Sequence, residues 1–555
     1  MIKKALVGVL SLLPIVHSCQ QSHNTEVEIA VCCINDFHAA FVADENRELY
    51  GVGSLLTALD SIKSVYPHHI VVSAGDNFGG SYFHKVTNGV AMPQFFKECG
   101  IQVSAIGNHE FDEGQQKLAA KWSELCNDKN PYDLIYLSAN LRDSLGKTPY
   151  YAKAYTTKEI KLSDNKSFTL SLIGLTTAST PQQTNARLIQ GLHFDPNYLA
   201  VIDSVKSTPD YQSVSSKIDA CVLVGHLGAR RNNGNPKWED ISALQLAPID
   251  RTIADAFFAA HTHDTLSAFI NNKQLPIVQA GSNGAYIGCF KIKFDTLKNI
   301  VTSITPEIYP IRKSTNYTSH VAQLVDSLLS ITCVEGRPLN EKLCTIESEM
   351  PHDRLQRYAF SEVADIVCNS YAAAFIQYNP TNKIPVIGIS HYGSIRAGLY
   401  PGVLSVLNAG EILPFANNLR AYRYKGKDLK KLATFGLHNS KYGWLQSNAL
   451  TFECVSATDL VVNKVYYTDT SGATTEIKDN DTCIIVVDDY MVTGGDGYLP
   501  EFFQKDMEIK TVLPTTTAAF LNYLKSQTII KSNPNMMKKL RIEGNTYSSL
   551  YEIKQ

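Results

Sequence analysis

The 555-residue chain lacks an excess of charge of either sign: 51 Lys and Arg stand against 53 Asp and Glu, for a net charge of −2. A nucleic-acid binder would show a basic surplus or patch, so composition argues against that class. The chain also lacks any CxxC pair, which leaves a zinc ribbon unsupported. No repeat with a period of roughly 20 to 50 residues stands out, so a solenoid or propeller is not suggested. Gly and Pro are scattered, and 44% of residues are hydrophobic, which excludes wholesale disorder. What remains is a large globular chain, divisible into two large α/β domains or three to four smaller units.

Beyond the first 19 residues there is no apolar run of about 18 residues, so no later segment is read as spanning a bilayer. The start itself reads as a leader. Lys3 and Lys4 precede an apolar run from Ala5 to Val16, which ends in Val16-His17-Ser18-Cys19 and a polar stretch. Such a run suits a secretory h-region. The ending resembles a bacterial lipoprotein cleavage site at Cys19, and the alternative is an ordinary signal peptide cut after Ser18. Either way an exported protein is expected, periplasmic or on the cell surface, and any membrane contact is through a lipid anchor. Cys32, Cys33, Cys221, Cys289, Cys368 and Cys483 lie in or beside apolar runs, where a small buried hydrophobe is the default role. A Cys333–Cys344 disulfide is possible in an oxidising compartment, but spacing cannot assign it.

From about residue 26 to 310, short apolar runs alternate with helix-like segments: Val27–Ile34, Ile70–Ala74, Val103–Ile106, Leu134–Leu137, Phe168–Ile173, Ala220–Val224, Phe257–Ala259 and Ile277–Gln279. Continuous apolar runs, rather than alternating ones, indicate strands covered on both faces. Residues 311–350 read as a helical linker, with Val321, Leu324, Val325, Leu328 and Leu329 at helical spacing. A second mixed domain is expected over 351–535, with a helix near Glu362–Phe375 and strands at Ile384–Ser390, Leu419–Tyr424 and Cys483–Val487. Residues 536–555 are polar and read as a tail.

The informative residues sit just after those runs. Asn35-Asp36-Phe37-His38 follows the first and Gly75-Asp76-Asn77 the second. Gly107-Asn108-His109-Glu110-Phe111-Asp112, Gly225-His226 and Ala260-His261-Thr262-His263 come later. Ligand sites in open α/β sheets lie beyond the carboxyl ends of strands, so five loops bring Asp, Asn and His to one rim. A lone Asp-x-His is usually a turn or cap, and a lone His-x-His is usually nothing. Together they offer nitrogen and hard oxygen donors suited to Zn, Mn or Fe rather than a thiolate site.

The order D-x-H, GD, GNHE, GH, HxH, spread over roughly 230 residues, resembles the calcineurin-like metallophosphoesterases, and within them the 5′-nucleotidases. The resemblance implies an α/β fold (α+β overall): a four-layer αββα metallophosphoesterase domain followed by a smaller mixed α/β 5′-nucleotidase C-terminal domain. It implies two divalent metal ions, Zn, Mn or similar, holding a bridging hydroxide. Asp36, His38, Asp76 and His263 would hold one ion. Asp76, Asn108, His226 and His261 would hold the other, with Asp76 bridging. His109 would then be catalytic without being a ligand, oriented by Asp112; the alternative for Asp112 is a helix N-cap. Ala39 and Ala260 stand where the family prefers Gly.

In the second half, His391-Tyr392-Gly393-Ser394-Ile395-Arg396, Leu413-Pro414-Phe415-Ala416-Asn417 and Tyr490-Met491-Val492-Thr493-Gly494-Gly495-Asp496-Gly497-Tyr498 resemble the family's C-terminal motifs in order. Arg396 suits bidentate phosphate contact. By motif match Phe415 and Tyr498 would stack a nucleobase, although on composition both read as core aromatics. His391 and Tyr392 depart from the family's Asn and Gly, next to Gly393. A further substrate arginine could be Arg354 or Arg357. The resemblance therefore implies an exported phosphohydrolase acting on small-molecule nucleotides, most simply nucleoside 5′-monophosphates. UDP-sugars or 2′,3′-cyclic nucleotides are near alternatives, as is a non-catalytic nucleotide-binding surface protein.

Overall fold

The computed structural model describes residues 25–125, 132–163, 165–185, 187–232, 235–237, 252–270, 275–315, 318–353, 356–439 and 442–553. The expected leader and Arg354 lie outside them. Two six-stranded sheets stack in the first domain. One is centred on four parallel strands in the spatial order Glu26–Ile34, His69–Ser73, Ile101–Ala105 and Ile135–Leu137. An antiparallel hairpin, Tyr286–Asp295 with Ile300–Pro310, extends it beside the first of these. The other has four parallel strands, Lys166–Thr176, Ala220–His226, Ala256–Phe258 and Leu275–Ala280, with antiparallel edges at Tyr155–Ser163 and Thr265–Ile270.

Burial explains the layering. Ile29, Val31, Val72, Val103, Leu170, Val222, Val224, Phe258 and Phe290 fill the space between the sheets. The alternate residues of the same strands face outward under helices. Cys32 and Ile34 pack with Leu55, Leu59, Phe95 and Phe96 from the helices Gly51–Val65 and Met92–Cys99. Leu223 and Phe257 pack with Ile202 and Tyr211 from Tyr198–Lys206 and Pro209–Ser215. Strands covered twice must be apolar at every position, which is why their continuous runs were readable. The edge strands Tyr155–Ser163 and Ile300–Pro310 were not, because they are largely half-exposed: each buries a single residue, Ile160 and Ile304.

The linker is helical only over His320–Ile331. After it the chain turns through a short hairpin, and Lys342–Ile346 joins a small three-stranded sheet with Gly402–Ser405 and Ile529–Ile530. In the second domain the helix Glu362–Tyr378 lies on a five-stranded sheet containing Val386–His391, Thr482–Asp488 and Leu419–Lys425. The expected tail is in part a strand: Leu540–Ile542 runs parallel to Leu450–Cys454, burying Leu540 and Ile542 against Phe452. Two inward residues in a polar stretch sufficed to hold it, a pattern too short to show in sequence. The six cysteines read as buried are all buried and unpaired. Cys333 is exposed and Cys344 buried, both free thiols. Among the described residues no helix is long and apolar enough to cross a membrane.

Candidate metal centre and adjoining cavity

Five loops at the carboxyl ends of the parallel strands meet at one rim. Five of the expected donors hold left-handed backbone: Asp36 (φ 48°), His38 (50°), Asp76 (50°), His261 (78°) and His263 (59°). Such conformations are costly for non-glycine residues and persist where the surroundings enforce them. Ala39, at φ 50°, is left-handed too, so the family's Gly at that position has a conformational reason. Close packing adds to the constraint. A Cβ on Gly107 would lie 2.1 Å from Asp76 Oδ1, so the two loops can only approach with glycine there.

The donors fall into overlapping groups whose ligating atoms lie within 4.8 Å of one another: Asp36, His38 and His263; His38, Asp76 and His109; Asp76, His226 and His261. His38 Nε2 faces His263 Nε2 at 3.0 Å, and His263 Nε2 lies 3.5 Å from Asp36 Oδ1. Asp76 Oδ2 sits between the groups, 3.0 Å from His226 Nε2 and 4.0 Å from His38 Nε2. Asn108 Oδ1 approaches His226 Nε2 at 3.2 Å. His226 Nδ1 is engaged with the Ala74 carbonyl at 3.0 Å, which leaves Nε2, the nitrogen facing Asp76 and Asn108, for a metal. Imidazole, carboxylate and amide donors converging in this way fit borderline-to-hard divalent ions.

Electrostatics follow from burial and crowding. Burial pushes His38 down to about 4 against the pull of Asp76 and Asp36, so it is a neutral donor. Burial opposes ionisation of Asp76, but the charge and hydrogen bond of His226 hold its carboxyl well below the usual range. His109 is different. Burial works against its charge, yet the Asp112 hydrogen bond and the Asp76 carboxylate raise it to about 9. Its Nδ1 lies 2.7 Å from Asp112 Oδ2. That carboxylate therefore goes to His109, and the next helix starts only at Gln115, so the capping alternative falls away. Glu110 was not singled out from sequence, although it stands in the GNHE motif. Its buried carboxylate accepts from the backbone N–H groups of Asp76, Asn77 and Gly107 at 2.7–2.9 Å. It ties two donor loops together. Gln183, with Nε2 3.1 Å from His261 Nε2, carried no motif signal at all.

A cavity of about 370 Å³ in the second domain is lined by Arg357, His391, Tyr392, Gly393, Arg396, Phe415, Asn417, Tyr442, Tyr490 and Asp496. Residues 29–265 match the calcineurin-like phosphoesterase family, and residues 346–504 match the 5′-nucleotidase C-terminal domain. The chain belongs to the 5′-nucleotidase family of metallophosphoesterases. It is 23% identical over 517 residues to the 5′-nucleotidase of Rattus norvegicus, covering 85% of this chain and 84% of that protein. It is also 23% identical over 501 residues to the trifunctional nucleotide phosphoesterase protein YfkN of Bacillus subtilis, of which it spans only 32%. The fold matches that of a 5′-nucleotidase precursor from Thermus thermophilus, with a TM-score of 0.58 at 19% identity over 93% of this chain and all of that one.

As a member of this family the protein is a metal-dependent phosphoester hydrolase. Its C-terminal motifs are placed unequally. Arg396, Phe415, His391 and Gly393 all reach the cavity. Arg357 lines it as well, whereas Arg354 lies outside the described residues. Tyr498 does not line it: at 1% exposure it packs against Phe435 in the core of the second domain, its hydroxyl buried without a partner. Besides Phe415, the rings of Tyr392, Tyr442 and Tyr490 line the cavity, and of the two tyrosines in the last motif it is Tyr490, 42% exposed, that does so. The two tyrosines flank the same glycine turn, where Gly494 and Gly497 take positive φ, and that turn sends one outward and the other inward. His391 Nδ1 sits 2.6 Å from Asp496 Oδ2, while the Tyr490 hydroxyl donates to Asp496 Oδ1 at 3.0 Å.

Proposed function

We propose that the protein is an exported 5′-nucleotidase, hydrolysing nucleoside 5′-monophosphates to nucleoside and phosphate. The observation that carries this reading is the pairing of one donor cluster centred on Asp76 with an aromatic cavity holding Phe415, Tyr490, Arg396 and Asp496. Asp36, His38, Asp76 and His263 are the residues to hold one ion, and Asp76, Asn108, His226 and His261 the other. Two divalent ions there, Zn or Mn by donor type, supply Lewis acidity and neutralise phosphoryl charge.

The chain's own groups do the rest. Asp112 keeps the Nδ1 proton of His109, so Nε2 carries the proton offered to a phosphoryl or leaving oxygen. Arg396, at the cavity wall, binds the phosphate through its forked donors. Phe415 and Tyr490 present rings for the base, and Asp496 presents an acceptor for hydroxyl donors of the sugar. Phosphate release from AMP, UDP-glucose and 2′,3′-cAMP with added Mn²⁺ or Zn²⁺ tests the reading. AMP is expected to turn over fastest. A preference for either other substrate would replace the substrate assignment, and no turnover of any would overturn it. Export is supported by the leader pattern and by the Thermus relative being a precursor. Incorporation of labelled palmitate, abolished by Cys19→Ser, would distinguish a lipid anchor from cleavage after Ser18.

A further inference from the structure

One continuous segment, residues 76–85, runs from the centre of the donor cluster to the second domain. Asp76 is the shared carboxylate. Gly79 lies under the His109–Asp112 pair, where a Cβ would come 2.5 Å from Asp112 Oδ2, and Gly80 lies under His38, where a Cβ would come 2.7 Å from Nδ1. Ser81 then caps the short helix Tyr82–Thr87, accepting from His84 N. From that helix two side chains cross to the second domain. The Tyr82 ring rests on the backbone of Gly410, where a Cβ would fall 2.0 Å from Cε1. Lys85 Nζ donates to the Pro414 carbonyl at 2.8 Å and stands 5.7 Å from the centroid of the Phe415 ring. Arg396 stands 5.8 Å from the same centroid and lines the cavity, whereas Lys85 does not. Arg47 of the first domain reaches the same stretch by pairing with Glu411 at 3.4 Å.

We infer that Lys85 is a positioning residue of the catalytic domain that sets Phe415 for the nucleobase, fixing the base site relative to the metal centre. The inference rests on the nucleotidase reading above. A lysine that donates to the carbonyl just before Phe415 restrains the turn carrying the ring, and its charge near the ring adds a cation–π contact. Because the same segment contains Asp76, a shift of the metal rim is transmitted to the base site through the ten residues from Asp76 to Lys85, and a nucleotide must satisfy both ends at once.

The test compares KM for AMP with KM for p-nitrophenyl phosphate, a monoester with no base or sugar, in the metal-loaded enzyme. Lys85 is solvent-exposed, so Lys85→Met folds. It is expected to raise the ratio of the two KM values about ten-fold, and Lys85→Arg, which retains the charge and a donor, is expected to restore most of it. An unchanged ratio in Lys85→Met overturns the inference, as does an equal rise for both substrates, which would place Lys85 at the phosphate. Failure of the arginine variant to restore the ratio also overturns it. By contrast, a wild-type enzyme that hydrolyses p-nitrophenyl phosphate but no nucleotide would overturn the nucleotidase reading itself.

Discussion

At the metal rim every donor lies at the carboxyl end of a parallel strand of the catalytic domain or a few residues beyond it, and five of them are held in left-handed backbone. The cavity of the second domain is assembled otherwise, from residues between Arg357 and Asp496 that come from a strand end, a proline turn, a glycine turn and the loops carrying Arg357 and Tyr442. At the rim, backbone position and donor chemistry coincide, so residue type and order are informative. In the cavity a turn decides which of two nearby aromatics points outward, and a motif does not record that. The rim is thus tightly packed and specified residue by residue, whereas the turns of the cavity are supported in part by the other domain, through Lys85 and the Pro414 carbonyl.

Breaking the rim should have the largest effect. Asp76→Ala removes the carboxylate between the two donor groups; turnover is expected to fall about 10³-fold or more, corresponding to several kcal/mol of lost charge stabilisation. Elemental analysis should find at most one ion per chain. A result with two ions retained would remove Asp76 from its bridging position. Next, His109→Ala is expected to lower kcat about 10²-fold with metal content intact, and loss of metal would make it a ligand instead. The protonated form of His109 is favoured mainly by Asp112 against burial, so it persists at neutral pH and is lost as pH rises through its raised value. Asp112→Asn should therefore move the alkaline limb of the kcat profile to lower pH, and an unmoved limb would separate the pair from catalysis.

The cavity side predicts a smaller and more selective effect. Tyr490→Ala is expected to raise KM for AMP about ten-fold, within the range of one lost stacking contact. Tyr498→Phe should leave KM unchanged and not lower the melting temperature, because it removes a buried hydroxyl that has no partner. The reverse pattern would return the base contact to Tyr498. Smallest of all, Ala39→Gly relieves a left-handed alanine beside His38 and is expected to stabilise the protein by about 0.5–1 kcal/mol. An unaltered denaturant midpoint would show that the loop already relaxes around Ala39.

The strands that were legible are those buried on both faces, such as Ala220–His226, all seven of whose residues are buried. Ile300–Pro310 and Leu540–Ile542 were not, because half-exposed edges and short closing strands carry too few apolar residues to stand apart from loops. The donor set was legible because metal chemistry restricts residue types and the sheet imposes their order. Glu110 carries no signal of its own in the sequence although it lies inside the GNHE motif, since its role is to accept from the backbone of other loops, and only the folded arrangement supplies those donors. The ten-residue bridge from Asp76 to Lys85 was equally hidden: nothing in its composition points across to Phe415.

The amino-acid sequence by itself determined that positive and negative residues balance and that no CxxC pair occurs, that the chain builds covered α/β sheets, and that Asp, Asn and His gather at their carboxyl ends. Those properties follow from hydrophobic patterning and donor chemistry, which are local. Only the tertiary structure decided that Asp112 serves His109 rather than a helix, that Tyr490 and not Tyr498 faces the cavity, and that Leu540–Ile542 and Asn545–Tyr547 extend a sheet instead of trailing as a tail. Each of these depends on which way a turn points a side chain, and on packing between segments far apart in the chain.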